Sequence, residues 1–218
     1  MQSKFLLDFY HLSGWAVILS ILVVCIAVRK NKAAWRQPHS LLSWYLFIIF
    51  ILEVVTAILS KLKHNTQYIS FIYILIEFSL LLFYLSIVIG SRSARMLSYI
   101  IAAIFICFQL YKAFDNNTHQ YYDAIGIFVN TFILIVYSFV VLTLLFRRSP
   151  EQNLRRSPDF WLTGTIFFLN CIDLVIFALT TVTYDAMSES AFLALHIGRN
   201  LIKSGFLFGY YRGIKLLS

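Results

Sequence analysis

Seven long apolar stretches, separated by short polar connections, follow one another along the chain. Each is close to the roughly 20 residues that an α-helix needs to cross a bilayer. Their apolar positions run continuously instead of alternating, which excludes the strands of an outer-membrane barrel. The pattern predicts an all-α integral membrane bundle, a single domain over residues 1–218, with seven transmembrane helices at about 12–28, 41–60, 68–90, 96–112, 122–146, 160–182 and 188–211.

The composition changes this picture little. The chain is 60% hydrophobic and 13% charged, which lies far from the balance of a water-soluble domain. The longest connection, residues 147–159, is too short to hold a further domain. Helix 1 has no ionisable residue in its apolar stretch, so we expect it to face lipid.

Charge predicts how the bundle is oriented. The side that holds the C-terminus has twelve Lys and Arg residues, whereas the side that holds the N-terminus has four. By the positive-inside rule, the N-terminus is outside and the C-terminus is cytoplasmic. The net charge of +8 is then explained by topology and by contact with the lipid bilayer, and it gives no reason to predict nucleic acid as a partner.

The last apolar stretch differs from the others because it contains His196, Arg199 and Lys203. These positions share one side of a helix, with Asn200 beside them. A charged side chain near the bilayer centre costs roughly 2.5–3.5 kcal/mol on insertion scales. The cations therefore need carboxylates from other helices or a wet cavity.

Polar stripes on four other helices contain suitable partners, including three acids at membrane depth. Ionisable residues inside a membrane usually serve function, so we predict an outward-facing pocket for a small ligand or ion. From the predicted depth of each residue in the membrane, we expect Arg199 to pair with Glu77, and His196 to pair with Asp173 or Glu53. The alternative is that these ion pairs only fix helix register. The predicted pocket residues are Glu53, Glu77, Asn130, Asn170, Asp173, His196, Arg199, Asn200 and Lys203.

A glycine ladder, Gly205, Gly209 and Gly213, follows the opposite side of the last helix. Such a repeat lets two helix backbones approach closely. It predicts packing against a neighbouring helix of the same chain, with a homodimer seam as the alternative.

Enzyme motifs are not evident in the sequence. It contains no His-Glu-x-x-His, Gly-x-Ser-x-Gly or phosphate-loop pattern, and its three cysteines are unclustered. We therefore predict a protein that is not an enzyme, with no metal site and no cofactor.

Three short motifs carry a resemblance to a known family. They are an aliphatic-Glu-Phe pattern at residues 72–78, Pro-x-Phe-Trp at Pro158 to Trp161, and the stretch His196 to Asn200. Together they resemble a loose family of small seven-helix membrane proteins of Bacteroidota, over nearly the whole chain. Its members are often encoded near sensor histidine kinases, so the resemblance implies the inner membrane of a bacterium and a kinase or other signalling protein as partner. Arg199 and Lys203 lie outside the family pattern.

Pro158 to Trp161 also has a plain structural interpretation. Asp159 is expected to cap the sixth helix just after Pro158, while Trp161 is expected to lie at the inner membrane interface.

The functional prediction that joins these features is a receptor-like sensor. A ligand in the outer pocket would shift helices 6 and 7, and a signalling partner would read that shift at the cytoplasmic loops. One alternative is a small-solute or proton-coupled transporter, against which stand the missing internal repeats and the unbroken helices. The other is an oligomeric membrane pore that assembles on the glycine ladder.

Overall fold

A computed structural model describes residues 2–36, 38–62, 67–114, 124–148, 154–183 and 187–217. Over these ranges the chain forms helices joined by turns and contains no β-strand, which confirms the all-α prediction. A short 3-10 helix, Lys32–Trp35, follows the first long helix. The long helices are α1 (Gln2–Lys30), α2 (His39–Lys61), α3 (Gln67–Ile89), α4 (Arg92–Phe114), α5 (Ala124–Arg148), α6 (Pro158–Thr183) and α7 (Glu189–Lys215).

Six of these described helices, α1 to α6, are long and apolar enough to cross a membrane. The chain is therefore consistent with a multi-pass membrane protein. The last helix, α7, is not among the six because its apolar stretch is interrupted by charged side chains, Arg199 and Lys203 among them. The predicted start of the fifth helix at residue 122 lies outside the described residues.

Helix contacts arrange six helices as a closed ring, in the order α1, α2, α3, α5, α6, α7 and back to α1. The remaining helix, α4, packs against α3 and lies outside this ring. The buried core runs through the ring, with Phe78, Tyr84, Leu134, Leu162 and Tyr210 among its most enclosed side chains. Five ring helices other than α1 can thus present polar residues to one interior.

The expectation that helix 1 faces lipid is wrong for one side of that helix. The packing of α1 against α7 is the most extensive between any two described helices. Its buried side includes Val17, Ile21, Val24 and Val28, while Leu19 and Val23 are exposed. A helix that is apolar all round does not reveal which side is buried, because lipid and protein interior accept the same residues.

Two of the three ladder glycines lie where α7 crosses α6. A Cβ added at Gly213 would lie 2.6 Å from Leu162 Cδ2, and one at Gly209 would overlap Thr165 Oγ1. A Cβ at Gly205 would meet no atom within 4 Å among the described residues. The structure thus shows intramolecular helix packing at Gly209 and Gly213. At Gly205 it shows no such contact among the described residues, so the homodimer alternative stays a prediction at that position.

The start of α6 also differs from expectation. The helix already begins at Pro158, so Asp159 lies inside its first turn instead of capping it. Ser157 takes the capping position, and its Oγ accepts the Phe160 N–H at 3.4 Å. Asp159 Oδ1 instead accepts from Tyr84 Oη at 3.1 Å and lies 3.0 Å from His39 Nε2. This carboxylate therefore ties α6 to α2 and α3.

Candidate ligand-binding pocket

A cavity of about 200 Å³ lies between α2, α3, α5, α6 and α7. Apolar residues form part of its wall, among them Ile74, Ile127 and Ile176, and the hydroxyls of Tyr73, Thr131 and Thr180 add polar groups. Seven of the nine predicted pocket residues line it, namely Glu53, Glu77, Asn130, Asp173, His196, Arg199 and Lys203.

The other two predicted residues, Asn170 and Asn200, are not among the lining residues. Asn170 Nδ2 donates to the carbonyl of Ile166 in its own helix at 2.9 Å. Asn200 Nδ2 donates to Ser13 Oγ on α1 at 3.1 Å. Successive residues of a helix are rotated by about 100°, so Asn200 points toward α1 although Arg199 faces the cavity.

Arg199 pairs with Asp173 across the contact between α7 and α6. Arg199 Nε lies 2.5 Å from Asp173 Oδ1, and the two side chains are 31% and 28% exposed. The predicted partner of Arg199 was Glu77, and the structure corrects this. The prediction compared only how deep each side chain lies along the membrane normal. Pairing also depends on which helix is the neighbour, and α6 rather than α3 packs against α7.

Lys203 lies deeper in the same wall and contacts two other helices. Its Nζ is 3.5 Å from Glu53 Oε1 on α2 and donates to Tyr73 Oη on α3 at 3.2 Å. The ammonium also lies 5.6 Å from the centre of the Tyr73 ring, within range of a cation–π contact. Lys203 therefore holds α2, α3 and α7 together at the cavity.

Glu77 is placed differently from the other two acids. Its Oε1 accepts the hydroxyl of Tyr45 at 3.0 Å, and its Oε2 accepts Asn130 Nδ2 at 3.3 Å. No cationic side chain among the described residues forms an ion pair with it within 4.0 Å. Two neutral donors thus hold this carboxylate at the cavity wall.

Asn130, which donates to Glu77, has an acceptor without a hydrogen-bond partner in the described chain. The residue is only 2% exposed, and its Oδ1 has no hydrogen-bond partner among the residues described. Its Nδ2 already donates to Glu77, which fixes which end of the amide remains free to accept. A buried acceptor without a donor is costly, and this one belongs to the side chain that holds the Glu77 carboxylate.

His196 lines the cavity without the predicted carboxylate partner. Its ring centre lies 4.4 Å from that of Phe192 and 6.5 Å from that of Tyr10. Neither Asp173 nor Glu53 forms an ion pair with it in the part of the chain that the structure describes. The predicted pairing of His196 is therefore wrong, and the imidazole packs against aromatic rings.

Sequence reasoning missed Tyr45 as a contributor to the site. It is 6% exposed on α2 and donates to Glu77, yet it lies outside the stripe that Glu53 and Thr56 form. In the sequence, a tyrosine inside an apolar stretch indicates only a residue that packs in the core. The signal that would have found it is the need of a buried phenol for a hydrogen-bond partner.

Metal ligands are not clustered within the described ranges, which contain no group of three or more His, Cys, Asp or Glu side chains that could hold a metal ion.

Comparison of the chain with protein-family models, with curated proteins and with solved structures finds no match. Function is therefore inferred from the geometry of the pocket.

Proposed function

We propose that this protein is a seven-helix, receptor-like membrane sensor that binds a small cation in the pocket. The observation that carries the proposal is Glu77, a carboxylate at the cavity wall held by Tyr45 and Asn130 with no ion-pair partner in the described chain.

The charges of the pocket also favour a cationic ligand. Asp173 and Glu53 are each paired with a cation of α7, whereas His196 packs against aromatic rings instead of an acid. Glu77 is thus left as a third acid without an ion-pair partner in the described chain. A cationic ligand would complete the balance, and a buried charge requires such compensation. The volume of about 200 Å³ is below the roughly 300–1,000 Å³ of pockets that bind drug-sized ligands, so the ligand is small.

Crossing of the membrane by α7 is part of the proposal. The charged side chains inside its apolar stretch, Arg199 and Lys203, point into the ring, where both are paired. The exposed side of this stretch carries Leu201, Ile202 and Phe208. Such a helix satisfies its charges within protein and shows apolar groups to lipid. With the bias of cations described above, the pocket then faces outside and Lys215 faces the cytoplasm.

A physical route for a signal runs from the pocket to the basic end of the bundle. Glu77 and Tyr84 are seven residues apart on α3, two helical turns or about 10 Å. Tyr84 and His39 both contact Asp159 at the start of α6. A ligand that draws Glu77 away from Tyr45 would shift α2 and α3, and Asp159 would pass that shift to α6 next to exposed Arg155 and Arg156.

Binding is tested by thermal unfolding of the purified protein with ammonium, methylammonium, guanidinium and sodium, and with acetate as an anion. We expect one or more of these cations to raise the unfolding temperature of the wild-type chain. The Glu77→Gln variant keeps the shape but loses the charge, so the increase should disappear. Glu189→Gln, which removes an exposed acid at the start of α7, is the matched control and should respond as wild type does.

Two results would contradict binding of a cation at Glu77. Stabilisation by acetate alone, or an unchanged cation response in Glu77→Gln, would refute the cationic ligand.

Signalling is tested by photocrosslinking in cells. We place the crosslinker at Arg156, which is exposed just before α6. Capture of a sensor kinase or another regulator, in an amount that changes in Glu77→Gln, is expected of a sensor. Capture that is the same in both chains would refute coupling between pocket and partner.

A second function, proton-coupled transport, is favoured by the same line of groups. Glu77 on α3 and Asp159 on α6 are acids at the two ends of this line, and the fully buried Tyr84 of α3, which lies between them, donates to Asp159. An acid that loads a proton on one side can release it to the other as access alternates. Proton uptake into proteoliposomes driven by a methylammonium gradient, and lost in Glu77→Gln, would support transport. If proteoliposomes show no proton uptake with a gradient of any of the cations named above, transport is refuted and the sensor remains the proposed function.

A further inference from the structure

A second cavity, of about 630 Å³, lies on the outside of the bundle between the ends of α1 and α7. It is remote from the ligand-binding pocket and shares no residue with it. We name it the α1–α7 groove. Its lining residues are Val23, Ile26, Ala27, Lys30, Asn31, Lys32, Tyr211, Ile214 and Lys215.

We propose that the α1–α7 groove binds one anionic phospholipid, with the phosphate at its lysines and an acyl chain along its apolar wall. Lys30, Lys32 and Lys215 are all exposed at its edge, and none of the described residues that line the groove is acidic. Basic pockets between helix ends are a recognised arrangement for anionic lipid headgroups.

The corner between α1 and α7 is built rigidly enough to hold the lysines in place. Asn31 Nδ2 donates to the carbonyl of Ile214 at 2.6 Å, and its Oδ1 accepts the Ala33 N–H at 3.0 Å. This one side chain ties the end of α1 to the end of α7 and caps the short 3-10 helix. Lys30 and Lys32 therefore flank a fixed point, and Lys215 faces them from the other helix.

The rest of the groove is apolar, and this selects a lipid over free phosphate. Val23 and Ile26 are 53% and 46% exposed on α1, one to two turns before Lys30. An acyl chain can cover these side chains, whereas an inorganic anion can use only the lysines. Tyr211 lies between the two parts, with the Lys215 ammonium 4.9 Å from its ring centre. This order of apolar wall, aromatic ring and cations matches the order of groups in a phospholipid.

The test is native mass spectrometry of the full chain in mixed micelles that contain equal amounts of phosphatidylglycerol and phosphatidylcholine. We expect one phosphatidylglycerol to be retained by wild type at the activation energy that removes bulk lipid. The Lys30→Gln, Lys32→Gln, Lys215→Gln triple variant should retain at least tenfold less of it.

The control variant removes the same charge from the same end of the bundle, away from the groove. Arg92, Arg95 and Arg148 are exposed there, and Arg92→Gln, Arg95→Gln, Arg148→Gln should retain the lipid as wild type does. A Lys→Arg variant at the three groove positions keeps the charge and should also retain it. If the Gln triple variant cannot be purified, Lys30→Gln alone should give a measurable part of the loss.

Three results would overturn the proposal. Equal loss in groove and control variants would mean that only the net charge attracts lipid. Equal retention of phosphatidylcholine would mean that the phosphate is not recognised through charge. Displacement of the retained lipid by millimolar inorganic phosphate would mean that the lysines form a site for a soluble anion.

Discussion

Arg199 donates from Nε to Asp173 Oδ1 at 2.5 Å, and this ion pair joins α7 to α6 at the cavity wall. The charge that sets α7 apart from the other helices is thus compensated by its neighbour along the chain. The same helix contacts α2 and α3 through Lys203, so the polar side of α7 organises three of its partners.

Removal of the Asp173 charge tests how much this ion pair contributes. We expect Asp173→Asn to lower the free energy of unfolding by about 1–3 kcal/mol, since Arg199 loses a charged acceptor. The partial exposure of both side chains keeps the cost below that of a fully buried pair. The measurement is denaturant or thermal unfolding in detergent.

A double-mutant cycle supplies the control for that prediction. The double variant Asp173→Asn, Arg199→Gln should lose less stability than the sum of the two single variants. Strictly additive losses would show that the two side chains do not interact.

Glycine substitutions on α7 test its packing on α6. Gly213→Ala places a methyl group 2.6 Å from Leu162 Cδ2, and we expect a loss of about 1–3 kcal/mol from overpacking. Gly205→Ala is the matched control, since its new methyl meets no described atom within 4 Å and alanine favours the helix. Equal unfolding temperatures for the two variants would contradict the crossing geometry.

Asp159 is expected to stabilise the start of α6 by more than its charge. Asp159→Ala leaves the buried Tyr84 hydroxyl and the His39 ring without their acceptor, which should cost about 1–3 kcal/mol. Glu189 is likewise an acid in a first helical turn, but it is exposed. Glu189→Ala should therefore cost only the interaction with the helix dipole, about 0.3–1 kcal/mol.

The two losses of stability are measured by thermal unfolding of these variants in detergent. A loss in Glu189→Ala as large as that in Asp159→Ala would show that the contacts of Asp159 with His39 and Tyr84 add nothing.

The crossing of the membrane by α7 is tested with single cysteines. Cys25, Cys107 and Cys171 are first replaced by alanine, because Cys107 is exposed and would react. A cysteine at Ser188, before α7, should react with an impermeant maleimide added outside intact cells, and one at Lys215 should react only after lysis. Labelling of both positions from the same side would show that α7 does not span.

The sequence by itself determined the class of structure. Apolar stretches of spanning length, six of which the described helices contain, leave helices as the only way to satisfy backbone hydrogen bonds in lipid, so the all-α prediction needed no knowledge of packing. Charged residues within apolar helices are too costly to face lipid. That principle brought Glu53, Glu77, Asp173, Arg199 and Lys203 to one interior before any contact was known.

Only the tertiary structure decided which groups meet. Periodicity places a residue on one side of its helix, but the partner depends on the order of helices around the ring, and that order left α4 outside and put α6 beside α7. Arg199 therefore pairs with Asp173, and Glu77 keeps only the neutral donors Tyr45 and Asn130. Apolar helices carry little information about their neighbours, because lipid and protein interior accept the same side chains.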